Sequence, residues 1–391
     1  MTLTALAGAR IFDGSRWHEG AAALVREGMI VDIVPRSDVP ATALVESVDG
    51  GMLVPGFIDA QVNGGGGVLL NDAPTADAMD RIAAAHRAFG TCRLLPTLVT
   101  TSDTVMQAAL AAVRGAGPGV AGLHLEGPHL SPVRRGAHDE RPMRRMTDAD
   151  VERLLAADVG RLLVTLAPEQ VEAAQVRRLV EGGVVVSLGH SDATYEQAMA
   201  LFEAGATGVT HLFNAMSPLQ GRAAGMVGAA LDAGTAWCGI IADGLHVSAP
   251  ALALALRGKR PPGRLFLVTD AMPTVGSNAT SFTFSSRTIT RHGERLTLTN
   301  QTGQEVLAGA HLDMASAVRF CVEELALPLE EALRMASLYP ATFLRLDDTH
   351  GRIAPDYVAD IVHLGADLRV RKTWVAGAAG RRCPSKATSS A

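Results

Sequence analysis

A (β/α)8 TIM-type barrel, with a small β-sandwich built from both chain ends, is the fold the sequence predicts. Three observations predict it. The middle of the 391-residue chain repeats a short apolar run, usually followed by an Ala-rich amphipathic stretch. Both ends carry short strands broken by turn dipeptides. Carboxylates, imidazoles and amides follow the apolar runs instead of interrupting them.

In chain order, residues 1–54 read as strands at 3–9, 11–12, 21–26 and 29–34, punctuated by Asp13-Gly14 and Glu27-Gly28. Residues 351–381 read the same way, with strands at 359–364 and 372–376. The two segments are expected to share one sandwich domain, leaving 55–350 for the barrel. The barrel strands are expected at 53–58, 91–98, 120–125, 161–166, 184–188, 208–211, 237–241 and 265–269. Helices are expected between most of them, among them 75–89, 148–157, 169–181 and 195–204. Unbroken apolar strands followed by amphipathic helices indicate parallel pairing, and eight such units favour a closed barrel. An open Rossmann-like sheet is the alternative, but no GxGxxG opens its first helix, and no helix starts on the 64–67 glycine run. Residues 278–306 break the rhythm. Strands at 281–286, 287–291 and 295–299 suggest a β insertion after the eighth barrel strand. Helices resume at 312–325 and 329–337, and the small polar residues 382–391 read as a disordered tail.

Composition narrows the function. Hydrophobic residues make up 48% and charged ones 19%, enough to bury a large core. The net charge is −5 with no basic domain, which argues against nucleic acid as a partner. A phosphate would need a local grip, not a global field. Cys92, Cys238, Cys321 and Cys383 are far apart and read as reduced thiols of a cytoplasmic protein. Residues 1–10 lack the pattern of a signal peptide. No apolar run approaches the ~20 residues that cross a bilayer, so no membrane partner is expected.

In a barrel, residues just after the strands converge on one rim, where active sites lie. Here strand 1 leads into Asp59, Gln61 and Asn63, and strand 3 into Glu126. Strands 5 and 6 lead into His190 and His211, strand 7 into Asp243 and His246, and strand 8 into Asp270. Any one of these could be a hydrogen-bonded core group. Glu126, His190 and His211 together form the carboxylate–imidazole–imidazole set of a catalytic metal site with one position open to water. Asp270 is then the candidate general base, or else a structural cap on the next segment. Arg222 beside Gly221 suits a phosphate grip, or else is a solvated loop charge. The backbone at Asn214 and Ala215 could add N–H donors.

Five segments carry a family resemblance: Pro55-Gly56-Phe57-Ile58-Asp59, His124-Leu125-Glu126-Gly127-Pro128, Leu188-Gly189-His190-Ser191, Thr210-His211-Leu212-Phe213-Asn214-Ala215-Met216 and Val268-Thr269-Asp270-Ala271. With the Asp243-Gly244-Leu245-His246 run, they resemble the N-acetylglucosamine-6-phosphate deacetylases of the amidohydrolase superfamily, over nearly the whole chain. That resemblance implies hydrolysis of N-acetyl-D-glucosamine 6-phosphate to D-glucosamine 6-phosphate and acetate, in amino-sugar catabolism and cell-wall sugar recycling. It implies Glu126, His190 and His211 as metal ligands and Asp270 as the catalytic aspartate. It implies substrate contacts from Ala137 and His138, the latter near the oxyanion. Asn214, Ala215, Arg222 and His246 would lie around the phosphate, and Leu307, Ala308 and Gly309 over the sugar. It also implies a homodimer, with Arg222 and His246 reaching the neighbouring site.

The chain departs from the superfamily at one place. The His-x-His after strand 1 that holds a second metal is Gln61-x-Asn63 here. Neutral amides are poor ligands beside imidazole, so one tightly bound divalent ion is expected. Zinc is the first choice, with iron, cobalt and manganese as alternatives. A deaminase or cyclic amidase of the same barrel, and a scaffold without catalysis, are the rival readings. Glucosamine and galactosamine phosphates cannot be separated from sequence, because the difference is one hydroxyl contact.

Overall fold

The computed structural model describes residues 2–299 and 303–379. The expected tail at 382–391, residues 380–381 and Cys383 lie outside the described residues.

Eight parallel strands form one sheet in sequential order. They are β1 (Phe57–Val62), β2 (Thr91–Val99), β3 (Gly122–Glu126), β4 (Arg161–Leu166), β5 (Val185–Leu188), β6 (Gly208–Val209), β7 (Trp237–Ile240) and β8 (Leu265–Leu267). Every residue of β1, β2 and β3 is buried, as a wall covered on both faces requires. The eighth strand meets the first through a single parallel bridge, Val62 to Ala271. Asp270 N donates to Gln61 O at 3.0 Å and Gly64 N to Ala271 O at 2.9 Å across the same seam. The barrel thus closes just beyond β8, at the level of the rim.

Helices follow the strands. Thr75 and Thr194 cap Ala76–Arg87 and Tyr195–Glu203 with side-chain oxygens on first-turn amides. Asp148–Leu155 starts on a reciprocal box in which Thr147 and Asp150 satisfy each other's backbone.

Strand 1 differs from the expectation of one run at 53–58. Met52–Pro55 joins the sandwich and β1 begins at Phe57. Gly56 makes the break: its amide donates to Asp360 O at 2.8 Å, and a Cβ there would lie 2.5 Å from Cys92 Sγ. The apolar run itself is continuous, so nothing in the pattern marked the change of sheet.

The sandwich pairs a four-stranded sheet from residues 4–47 with a six-stranded sheet holding Met52–Pro55, Ile361–Leu364 and Val370–Val375. Leu6, Val25 and Ile30 from the first meet Ile11, Leu53, Ile361 and Trp374 from the second in one core. The two chain ends are thereby sewn together.

The insertion holds four antiparallel strands: β9 (Ser281–Phe284), β10 (Arg287–His292), β11 (Arg295–Thr299) and β12 (Glu305–Leu307). The fourth was not expected. Ser285 and Ser286 turn the first hairpin at φ +48° and +63°, the left-handed pair that a two-residue hairpin uses. Phe284, Ile289, Leu296 and Leu298 pack this sheet onto Leu69, Val99 and Met272, so it covers one side of the barrel mouth. No helix among the described residues is long and apolar enough to cross a membrane.

Candidate active site

Glu126 ends β3, and His190, His211 and Asp270 stand just past β5, β6 and β8. The three latter residues take φ values of +48°, +32° and +51°, a left-handed bend that turns each side chain off its strand. The structure brings together the four residues expected to carry the chemistry.

Glu126 Oε1 lies 3.2 Å from His190 Nε2 and 3.0 Å from His211 Nε2, and the two nitrogens are 3.0 Å apart. A tetrahedral ion with bonds of about 2.0–2.1 Å spaces its ligands about 3.3 Å apart, so this triangle has the size of one face of such a site. The donor chemistry fits as well. His190 Nδ1 is 2.9 Å from Arg134 O, which can only accept, so Nδ1 carries the proton and Nε2 presents a lone pair. His138 offers an alternative third ligand: Glu126, His138 and His190 also place ligand atoms within 4.8 Å of one another. His138 Nε2, however, is 3.7 Å from Glu126 Oε2, the oxygen turned away from the triangle. The set built on Oε1 is the tighter one.

Burial pushes the Glu126 carboxyl up, but the His190 and His211 rings set against it more than reverse this and hold it well below the carboxylate range. Burial lowers His211, and Glu126 beside it raises it past its ordinary value. Burial, then His190, push His138 down to about 3, so this ring is neutral at neutral pH.

Asp270 is held from one side. Asn63 Nδ2 donates to its Oδ1 at 2.7 Å, and Gln61 Nε2 donates to the same oxygen at 3.1 Å. Gln61 Nε2 also lies 3.1 Å from Glu126 Oε1. Oδ2 is left free of both amides. Burial and the charge of Glu126 raise the Asp270 carboxyl, while His211, Asn63 and His246 pull it back.

The predicted substrate contacts divide. The Leu307-Ala308-Gly309 segment runs beside Asp270: Ala310 N donates to Asp270 O at 3.0 Å, and a Cβ at Gly309 would strike Met272 Cγ at 2.5 Å. Ala137 packs under the insertion and its carbonyl accepts from Arg287. Asn214 Nδ2 is spent on its own turn, on His211 O at 3.2 Å, and Ala215 bends at φ +51°. His246 Nδ1 is 2.6 Å from Asp243 Oδ2, and its buried Nε2 has no partner among the described residues. Arg222 stands exposed on the hairpin between Gln220 and Ala223 and is not brought to the cluster.

Sequence reasoning missed Thr100. Its hydroxyl is 2.9 Å from His138 Nδ1 and 3.1 Å from Glu126 O. That hydroxyl donates to Glu126 O, which can only accept, so its oxygen receives Nδ1–H and Thr100 fixes the hydrogen of the neutral His138 ring on Nδ1. No motif marks a threonine past a strand end. His124, two residues before Glu126 on the same strand face, lies lower in the barrel. It bonds Thr97 Oγ1 at 3.1 Å and Thr165 Oγ1 at 2.7 Å.

A closed barrel with one carboxylate and two imidazoles around a metal-sized gap, and an aspartate beside it, defines a hydrolase of the metal-dependent amidohydrolase type. Residues 52–380 match the amidohydrolase family. The chain is 43% identical to the N-acetylgalactosamine-6-phosphate deacetylase of Shewanella sp. (strain ANA-3), over 95% of this chain and 94% of that one. It superposes on N-acetylglucosamine-6-phosphate deacetylase from Pasteurella multocida with a TM-score of 0.91 at 34% identity, covering 96% and 99% of the two chains. A mutant of the Mycobacterium smegmatis N-acetyl-D-glucosamine-6-phosphate deacetylase, in complex with N-acetyl-D-glucosamine-6-phosphate, gives 0.88 at 31%, covering 97% and 99%. The chain belongs to the amidohydrolase family and, within it, to the N-acetylhexosamine-6-phosphate deacetylases.

Proposed function

We propose that the chain hydrolyses the acetamide of N-acetyl-D-glucosamine 6-phosphate, releasing acetate and D-glucosamine 6-phosphate. Its place would be amino-sugar catabolism and cell-wall sugar recycling, in the cytoplasm. The observation that carries this reading is the Glu126–His190–His211 triangle set beside an aspartate whose one oxygen is pinned by amides. Similarity at 43% identity to a relative named N-acetylgalactosamine-6-phosphate deacetylase supports a second reading, in which the 4-epimer is the preferred sugar.

Glu126, His190 and His211 would hold one divalent ion, zinc before iron, cobalt or manganese. Bound there, such an ion lowers the pKa of a coordinated water towards ~7 and polarises a carbonyl. Asp270 Oδ2 takes the proton of the attacking water, and Gln61 and Asn63 fix Oδ1 so that Oδ2 faces the reaction. The water oxygen bonds to the acetamide carbon. His138 would stand beside the developing oxyanion; its Nε2 can donate to it only when the Thr100 hydroxyl turns from Glu126 O and donates to Nδ1 instead. Asp270 then returns its proton to the nitrogen as the C–N bond breaks, because an amine anion is too poor a leaving group. Acetate and the protonated amine depart.

His246 Nε2, unpaired and close enough to steady Asp270, would bond a sugar hydroxyl or the phosphate of its own subunit's substrate. Arg222, exposed on a single chain, would close the phosphate site of the neighbour in a homodimer. The backbone at Asn214 and Ala215 and the Leu307–Gly309 segment would frame the sugar. The test is acetate release from 6-phosphorylated N-acetylglucosamine and N-acetylgalactosamine, with metal quantified in the same preparation. Acetate from neither sugar overturns the function. A preference for the galacto epimer selects the second reading.

A further inference from the structure

Asp59 is fully buried inside the barrel wall, with no cation beside it among the described residues. Its Oδ2 accepts the Thr269 hydroxyl at 2.5 Å, and its Oδ1 accepts Thr269 N at 3.3 Å and Gln61 N at 3.2 Å. Burial pushes this carboxyl up to about 7, and the nearby Asp270 adds to the rise. A buried carboxyl without a cation is an expensive choice for a wall position, where an apolar side chain would pack at no such cost.

Its location explains the choice. β8 ends at Leu267, and among the described residues only the Val62–Ala271 bridge joins its continuation to β1. Thr269 therefore crosses the seam without a strand ladder to hold it. Asp59 supplies that hold from β1, with an acceptor at each end of one short side chain. An asparagine keeps one acceptor end: with both amides on Oδ1, its NH2 must donate to the Thr269 oxygen, and the Thr269 hydroxyl proton then loses the acceptor it has on Asp59. The two residues tied down are the ones that matter at the rim. Thr269 directly precedes Asp270, and Gln61 donates to Asp270 Oδ1.

We propose that Asp59 is a positioning residue for the reaction: it ties β1 to Thr269 and so sets where Asp270 stands relative to Gln61 and Asn63. This inference rests on the deacetylase reading above for its kinetic test, but not for its structural one.

The experiment compares Asp59→Asn, Thr269→Val, Thr269→Ser and the Asp59→Asn/Thr269→Val pair with the wild-type holoenzyme. Asp59→Asn and Thr269→Val each lower kcat about tenfold or more while KM stays within about twofold and the metal content is unchanged. Thr269→Ser, which keeps the hydroxyl, recovers most of the rate lost in Thr269→Val. The double variant is no worse than the poorer single one, because the two groups act as one tie. A kcat within about twofold of wild type in Asp59→Asn overturns the proposal, as does strict multiplication of the two losses. If Asp59→Asn does not fold, an unchanged kcat in Thr269→Val overturns it alone. A wild-type enzyme that releases no acetate sinks the function instead. A crystal structure of Thr269→Val then decides the positioning: Asp270 Oδ1 displaced from Asn63 supports it, and an unmoved Asp270 overturns it.

Discussion

The two halves of the barrel mouth are built on different terms. On the proposed reaction side, Gln61, Asn63, Glu126, His138, His190 and His211 are all buried, and each is tied to a neighbour. On the proposed phosphate side, Arg222 is exposed and stands away from the cluster, whereas an unpartnered buried atom occurs on both sides among the described residues, His246 Nε2 here and His211 Nδ1 and Asn63 Oδ1 there. Groups that move protons must stand in place before substrate arrives, because reorganising them would add to the barrier. Groups that only recognise a charge can be completed by the substrate, or by a second subunit. The contrast predicts that damage on the first side falls on kcat and damage on the second on KM.

The largest effect should come from Asp270→Asn. The fold and metal content stay, while kcat drops by about 10³-fold, within the range for lost acid–base catalysis. A variant with near-normal turnover would break the division at its centre. Next is chelation. Dialysis against a strong chelator should abolish acetate release and lower the melting temperature, since an ion bound only by the native state at 100 times its Kd stabilises by about 2.7 kcal/mol. One equivalent of zinc should restore both; a requirement for two equivalents would show that Gln61 and Asn63 do not exclude a second ion. Thr100→Val should come third. It removes the hydroxyl that selects the His138 tautomer, with an expected loss of about tenfold in kcat and little change in KM. Arg222→Ala should do the reverse, raising KM about tenfold to a hundredfold at nearly constant kcat, the equivalent of one charge-assisted grip on phosphate. A kcat loss there would erase the distinction.

The smallest effect lies away from both halves. Asp150 is driven up by burial, but Arg144 and Thr147 hydrogen bonds outweigh that and depress its carboxyl well below the usual range. A depressed folded value contributes stability that is complete above the unfolded pKa of ~3.9 and is lost as pH falls below it. Asp150→Asn should therefore melt earlier than wild type at pH 7, by the order of 1 kcal/mol for a weakened cap, and the gap should shrink on acidification below about pH 4. A gap that is constant with pH would remove the charge from the explanation.

What could be read from sequence follows from what leaves a local trace. Glu126, His190, His211 and Asp270 were legible because each ends an apolar run, and runs of that kind can be counted. The seam between sandwich and barrel at Gly56 was not, since both sheets draw on one unbroken apolar stretch. Thr100 was invisible for a different reason: its importance comes from His138, 38 residues away, and a threonine in a loop is ordinary. The tie from Asp59 to Thr269 spans 210 residues. The motif around Asp59 could be seen, but its partner is known only once the barrel closes. The fourth insertion strand, Glu305–Leu307, is too short to carry a pattern.

The left-handed bends at His190, His211 and Asp270 carry a cost for protein engineering. A side chain in that conformation is less comfortable than glycine by about 1–2 kcal/mol per position. Planting glycine at these corners would relieve that cost but lose more than it returns, because His190 and His211 are buried and bonded, and their removal would leave cavities and unpaired partners. A hardier version of this chain must be sought elsewhere, in the sandwich and the outer helices.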